Sequence, residues 1–104
     1  MSLSKTSGGT ITLSEAQDLV KNFRSLFPDE IKASFIGSDN LQLIIDQEDC
    51  IGIRAYNGYD VDTRELKLVL VGVDSKGLDM TKGYIMDKMV PCPTTCDSSS
   101  ALYF

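Results

Sequence analysis

Residues 51–57, IGIRAYN, and residues 66–73, LKLVLVGV, decide the fold. Both runs are rich in aliphatic and β-branched side chains, and the stretch between them, GYDVDTRE at 58–65, is polar and holds Gly58 and Asp60. Two strand-forming runs flanking such a stretch read as the arms of an antiparallel hairpin. In the second arm Leu66, Leu68 and Leu70 fall on one face, and Val69, Val71 and Val73 on the other. A strand apolar on both faces needs cover on both sides or a central place in its sheet. Downstream, Asp74-Ser75-Lys76-Gly77 has the composition of a turn. It leads to a last strand around Tyr84 to Val90, bounded by Gly83 and Pro91.

Upstream of the hairpin the hydrophobic period changes from two to between three and four. Thr12 is followed three residues later by Glu15, the spacing at which a capping hydroxyl and a returning carboxylate satisfy each other's backbone donors. Ala16, Leu19, Val20, Phe23, Leu26 and Phe27 then stack on one helical face, and Pro28 ends the helix at Phe27. Ile31, Ala33 and Phe35 alternate with polar residues as a short strand would, up to Gly37. Ser38 can cap a second helix, with Asp39 in its first turn, Leu41, Ile44 and Ile45 facing inward, and an end at Gln47 to Asp49. These readings give an α+β fold with two N-terminal helices packed on a small, mainly antiparallel sheet, which the strand at 31–35 can join. Residues 1–10, poor in large apolar side chains, read as a disordered N-terminal arm, 11–92 as a single globular domain and 93–104 as a C-terminal tail with an apolar tip at Leu102, Tyr103 and Phe104.

Composition narrows the function classes. Of 104 residues, Leu, Ile, Val and Phe supply 29, enough to build one core. The net charge of −5 argues against nucleic-acid binding, since the few cations do not cluster along the sequence to meet a phosphate backbone. With no histidine, Ser-His-Asp and Cys-His nucleophile pairs and two-His zinc motifs are excluded. No apolar run is long enough to span a bilayer, so no membrane partner is expected. The first ten residues lack the apolar core of a signal peptide, which makes a cytoplasmic location the expectation, subject to Met1–Leu3 replacing a natural start.

The hairpin segment CIGIRAYNGYD, the strand LVLVGVDSKGLDM and the closing PCPTTC together resemble a family of small uncharacterised bacterial proteins of unassigned function. The resemblance spans about residues 11–96. It implies no activity and carries no catalytic or binding residue across.

Among the residues that could carry chemistry, Cys92-Pro93-Thr94-Thr95-Cys96 is the foremost candidate thiol site, with Cys50 elsewhere. Three residues separate Cys92 from Cys96, whereas thioredoxin-like motifs place two. As a zinc site three thiolates fall one ligand short of the usual four. A stiffened tail, its thiols free or joined locally, is the plainer alternative, and Cys50 beside Ile51 suits a small buried hydrophobe. Arg54 shares a face with Gly52 and Tyr56 and could grip an anion or a partner there. It could equally pair with Glu65 or another acidic residue. Asp60, Asp62, Asp74 and Asp79 lack calcium-loop spacing and suit turns. Met80, Met86 and Met89 with Tyr84 and Ile85 make a soft apolar stretch, either core filler or a partner surface.

With no convergent catalytic set, the expectation is a small non-enzymatic binding or assembly module with no cofactor and a possible homodimer. The alternative is a thiol-dependent redox or metal-binding protein using Cys92 and Cys96.

Overall fold

The computed structural model describes residues 3–104. Met1 and Ser2, the outermost part of the expected arm, lie outside the described residues. Thr12 caps helix α1, Leu13–Leu26, its hydroxyl accepting from the Glu15 amide at 3.1 Å. The helix stops ahead of Pro28, as the restriction on a residue preceding proline requires. Strand β1 is Ala33–Phe35 and helix α2 is Ser38–Ile45. Here the sequence reading needs adjusting. Gly37 occupies the cap position without a side-chain bond, and Ser38 is already helical.

The hairpin is longer than its apolar runs. Strand β2, Cys50–Asp60, pairs antiparallel with β3, Glu65–Asp74, and only residues 61–64 remain as loop. Asp60 makes that tight connection possible. Its carboxylate accepts from the amides of Asp62 (2.9 Å) and Thr63 (3.3 Å), while its carbonyl accepts from Arg64, which takes the left-handed conformation at φ 60°. Strand β4, Ile85–Met86, pairs with the far edge of β3, giving a sheet in the order β2-β3-β4. That is the expected three-stranded meander.

Two features overturn the expected arrangement of two helices packed on a single sheet. First, the strand expected over 84–90 breaks. A tight turn in which the Met89 amide donates to the Asp87 carbonyl ends β4 after Met86, and the chain resumes as β5, Val90–Cys92. Strand β5 does not return to β3. It pairs antiparallel with β1 in a second, two-stranded sheet, Ala33 facing Cys92, Ser34 facing Pro91 and Phe35 facing Val90. Pro91 therefore lies inside a strand, tolerated because a ribbon of this kind has two edges and no centre. Second, the helices form no layer on either sheet. Helix α1 buries no residue, with Leu19 62% and Leu26 73% exposed, and α2 buries only Ile44.

The core is correspondingly small. Among the described residues, Ile44, Leu70, Val71, Val73 and Cys92 are its buried apolar side chains. Ile44 meets the hairpin at Gly72, on the face that carries Leu70, whereas Val71 and Val73 are buried on the opposite face of β3. A Cβ built on Gly72 would stand 3.3 Å from Ile44 Cγ2, 3.2 Å from Cys50 Sγ and 2.8 Å from Gln47 Nε2, so glycine permits this close approach. Gln47 ties the neighbourhood together, donating to the Ile44 carbonyl (3.0 Å) and accepting from the Tyr84 amide (3.1 Å). The apolar cover foreseen for both faces of the second arm is realised only at residues 70–73. Elsewhere the chain is open. Its accessible surface is 7811 Å², against about 5,800 Å² for a compact monomer of this mass. Its radius of gyration is 15.3 Å, where about 13 Å is usual.

Candidate functional site

Pairing in the hairpin puts Arg54 opposite Val71 and Tyr56 opposite Val69, so both side chains leave the same face of the sheet. Asp79 reaches that face because it bridges to Val73 on the other edge of β3. The three side chains converge: Arg54 Nη1 meets Asp79 Oδ1 at 2.5 Å and the Tyr56 hydroxyl donates to Oδ2. The tyrosine hydrogen bond, followed by the guanidinium, holds the Asp79 carboxyl below the usual carboxylate range. The shared carboxylate in turn raises both Arg54 and Tyr56. Of the two sequence readings of Arg54, the structure displays the ion pair, with Asp79 as its acidic partner. Asp79 therefore serves this cluster, while Asp60 and Asp74 organise turns through their carboxylates. Bonds from the Thr63 and Asp62 amides lower the Asp60 carboxyl also.

Cys92 and Cys96 are joined as a disulfide, with Cα atoms 5.0 Å apart. In this state neither sulfur is a thiolate available to a metal or a substrate. Cys50 is half-buried, its thiol donating to the Gly52 carbonyl at 3.2 Å, and belongs to the packing around Gly72. The structure therefore separates the three cysteines by role. In the methionine stretch Met80, Met86 and Met89 are half-buried, while Tyr84 and Ile85 are about half exposed.

The disulfide opens onto a cleft of about 460 Å³. Its walls come from three distant parts of the chain: Leu19, Val20 and Phe23 of α1, Ala33 of β1, and the tail through Leu102, Tyr103 and Phe104. Most of the lining is apolar. The tail reaches α1 and the ribbon through a few identifiable contacts. Gln17 donates to the Ala101 carbonyl (3.1 Å), Lys21 stands 4.9 Å from the centre of the Phe104 ring, and Lys32 stands 4.6 Å from that of Tyr103 while donating to the backbone oxygen of Phe104. Cations over aromatic faces contribute modest attraction at exposed sites.

Sequence reasoning singled out Cys92, Cys96 and the apolar tip of the tail but not the cleft they line. It also passed over Lys32 and Arg24, which stand at that cleft, and Gln47. The available signal for the cleft was the pairing of an amphipathic helix with an apolar terminal tripeptide that had no assigned partner.

Among the described residues no group of three or more cysteines, aspartates or glutamates comes close enough together to hold a metal ion. No helix among them is long and apolar enough to cross a membrane. Compared with known proteins, the chain matches no family model, no curated protein and no solved structure.

Proposed function

We propose that the protein is a small non-enzymatic binding module whose working site is the cleft between α1, the β1–β5 ribbon and the C-terminal tail. One observation carries this reading: an apolar cleft of about 460 Å³, a size within the usual range of small-molecule sites, is walled by the β1–β5 ribbon, the tail and a helix, α1, that buries no residue. The predicted ligand is small and largely apolar. Titration of the isotope-labelled protein with octanol, followed by NMR, is the test. Resonances of Val20, Phe23, Ala33 and Leu102 should move together and saturate. Shifts confined to Tyr84 and Ile85, or none at all, would refute the cleft as the binding site.

A second reading, self-association, is favoured by the excess of surface. A stable interface removes about 800 Å² from each partner, and this chain exposes 7811 Å² where about 5,800 Å² would suffice. A homodimer is the expected form on that ground, and sedimentation equilibrium showing a monomer at high micromolar concentration would sink it.

A further inference from the structure

Strand β2 forms one edge of the β2-β3-β4 sheet, and β3 reveals which of its backbone groups face outward. The Leu66 amide donates to Glu30 Oε1 (3.1 Å) and the Gly72 carbonyl accepts from the Met80 amide (2.8 Å), so both residues turn their backbone away from β2. That orientation alternates along an antiparallel ladder, and the register sets Tyr59 opposite Leu66 and Ile53 opposite Gly72. Ala55, Asn57 and Tyr59 therefore aim their N–H and C=O groups at the free edge. Among the described residues no partner meets them there. Proteins usually blunt such an edge with proline, lysine, a bulge or a covering segment. Residues 53–60 contain neither proline nor lysine, the register shift lies beyond them between Cys50 and Gly52, and their one cation, Arg54, is paired with Asp79. The N-terminal arm shares a concavity with Ile51–Arg54 and not with 55–60.

We infer that the open edge of β2 is an interface for a second copy of this chain, the two edges pairing antiparallel about a two-fold axis at Asn57. This rests on the proposed self-association and adds the surface through which it occurs. Self-complementarity selects the occupant. A two-fold axis perpendicular to the sheet makes an edge strand its own antiparallel partner. With Asn57 on the axis, the outward groups of Ala55 meet those of Tyr59 and Asn57 meets Asn57, so each residue gives and receives one backbone bond. The side chains then fit. Ala55 lies beside Tyr59 on one face and Tyr56 beside Gly58 on the other, an aromatic next to a small residue each time. Arg54 stands opposite Asp60, so like charges do not face each other across the seam. Tyr56 and Tyr59, 48% and 55% exposed, are the large side chains that this pairing covers.

Amide exchange of the full chain, run beside sedimentation equilibrium over the same concentrations, separates the interface from the self-association. As dimer forms, protection should rise at the amides of Ala55, Asn57 and Tyr59, while those of Arg54, Tyr56 and Gly58, which face β3, stay protected throughout. Two substitutions act at the axis. Asn57→Pro removes the central donor from both copies without touching a bond of the hairpin, and should weaken the dimer about thirtyfold, the factor for two lost backbone hydrogen bonds. Asn57→Lys keeps the backbone intact and sets two cations face to face, so it should weaken the dimer severalfold, an effect that salt reduces. A dimer that lacks the alternating protection, or that neither substitution weakens, would overturn the edge interface and leave self-association standing. A monomer at high micromolar concentration would overturn both.

Discussion

Around Gly72 this chain is held together by burial, and around Cys92 it is held by a cross-link and a handful of polar threads. In the first region a long register, shifted once between Cys50 and Gly52, joins β2 to β3, Ile44 is wholly removed from solvent, and Leu70, Val71 and Val73 of β3 are buried. In the second, three-residue strands make a ribbon, α1 contributes no buried residue, and the connection between helix and ribbon runs through the tail that follows the Cys92–Cys96 disulfide. A short two-stranded ribbon is marginal by itself, so cross-linking does there what apolar burial does at the hairpin. The contrast extends to the concavities: the hairpin region carries one of about 210 Å³ beside Ile51–Arg54 and Val73, and the thinly packed region the cleft of about 460 Å³.

The comparison can be broken most decisively at Ile44. Replacing it with alanine should cost about 2–5 kcal/mol, read from urea unfolding, whereas Leu19→Ala on α1, at a position 62% exposed, should cost no more than about 0.5 kcal/mol. Equal costs would mean that α1 belongs to the core after all. Gly72→Ala comes next. Its new methyl group meets Cys50, Ile44 and Gln47, and overpacking of that kind costs about 1–3 kcal/mol. A neutral result would show that the α2–hairpin contact gives way easily.

Removing the disulfide should be felt in the other region. For cysteines four positions apart, the chain-entropy relation gives about 2 kcal/mol. In the paired substitution Cys92→Ser and Cys96→Ser, amide exchange should accelerate in 13–26 and 97–104 and stay unchanged at 65–74. Acceleration spread evenly over the chain would erase the distinction between the two regions. The same double variant tests the thiol-dependent alternative, which requires more than a loss of local order.

The smallest expected effect is the response to acid. Asp60 and Asp79 both have folded values depressed below the ordinary one, Asp60 by the Thr63 and Asp62 amides and Asp79 first by Tyr56. Each therefore binds its proton more weakly when folded. Their contribution is present in full above the unfolded carboxylate value of about 3.9 and is lost as pH falls through the folded value. Substituting both with asparagine should lower the neutral plateau by the small amount the two carboxylates contribute and flatten the acid limb of the stability curve below about pH 4. An unchanged acid limb would mean that neither hydrogen-bonded cluster survives in solution. Tyr56 titrates in the opposite sense: raised by Asp79, it favours the folded state below the ordinary tyrosine value and ceases to do so as pH rises through the folded one.

How much of this was legible follows from how far apart the interacting residues lie. The cap of α1 needed Thr12 and Glu15, three positions apart, and the hairpin needed two runs joined by a short polar stretch. In both cases neighbouring residues carry the whole signal, and the period of the apolar positions states which face turns inward. Arg54 was legible as a residue on a particular face, beside Tyr56, but its partner was not. Asp79 lies 25 positions away and enters the cluster only because the chain returns along β3. The break at Asp87–Met89 was hidden for a different reason. Two apolar pieces, Ile85–Met86 and Val90–Cys92, suit one interrupted strand as well as two separate ones, and local pattern does not distinguish them.

What the sequence determined by itself is therefore the set of local elements. The helix starts at Thr12, the hairpin turns at Asp60, a strand with two apolar faces demands cover, and a chain without histidine and with a net charge of −5 is closed to several chemistries. The tertiary structure alone decided which elements meet. The pairing of β1 with β5 closes nearly sixty residues of chain, and the cleft brings Val20 beside Leu102. Contacts of that separation are paid for in loop entropy and repaid by whichever surfaces happen to fit. No local pattern encodes that choice, so the second sheet, and the cleft beside it, appeared only once the chain was folded.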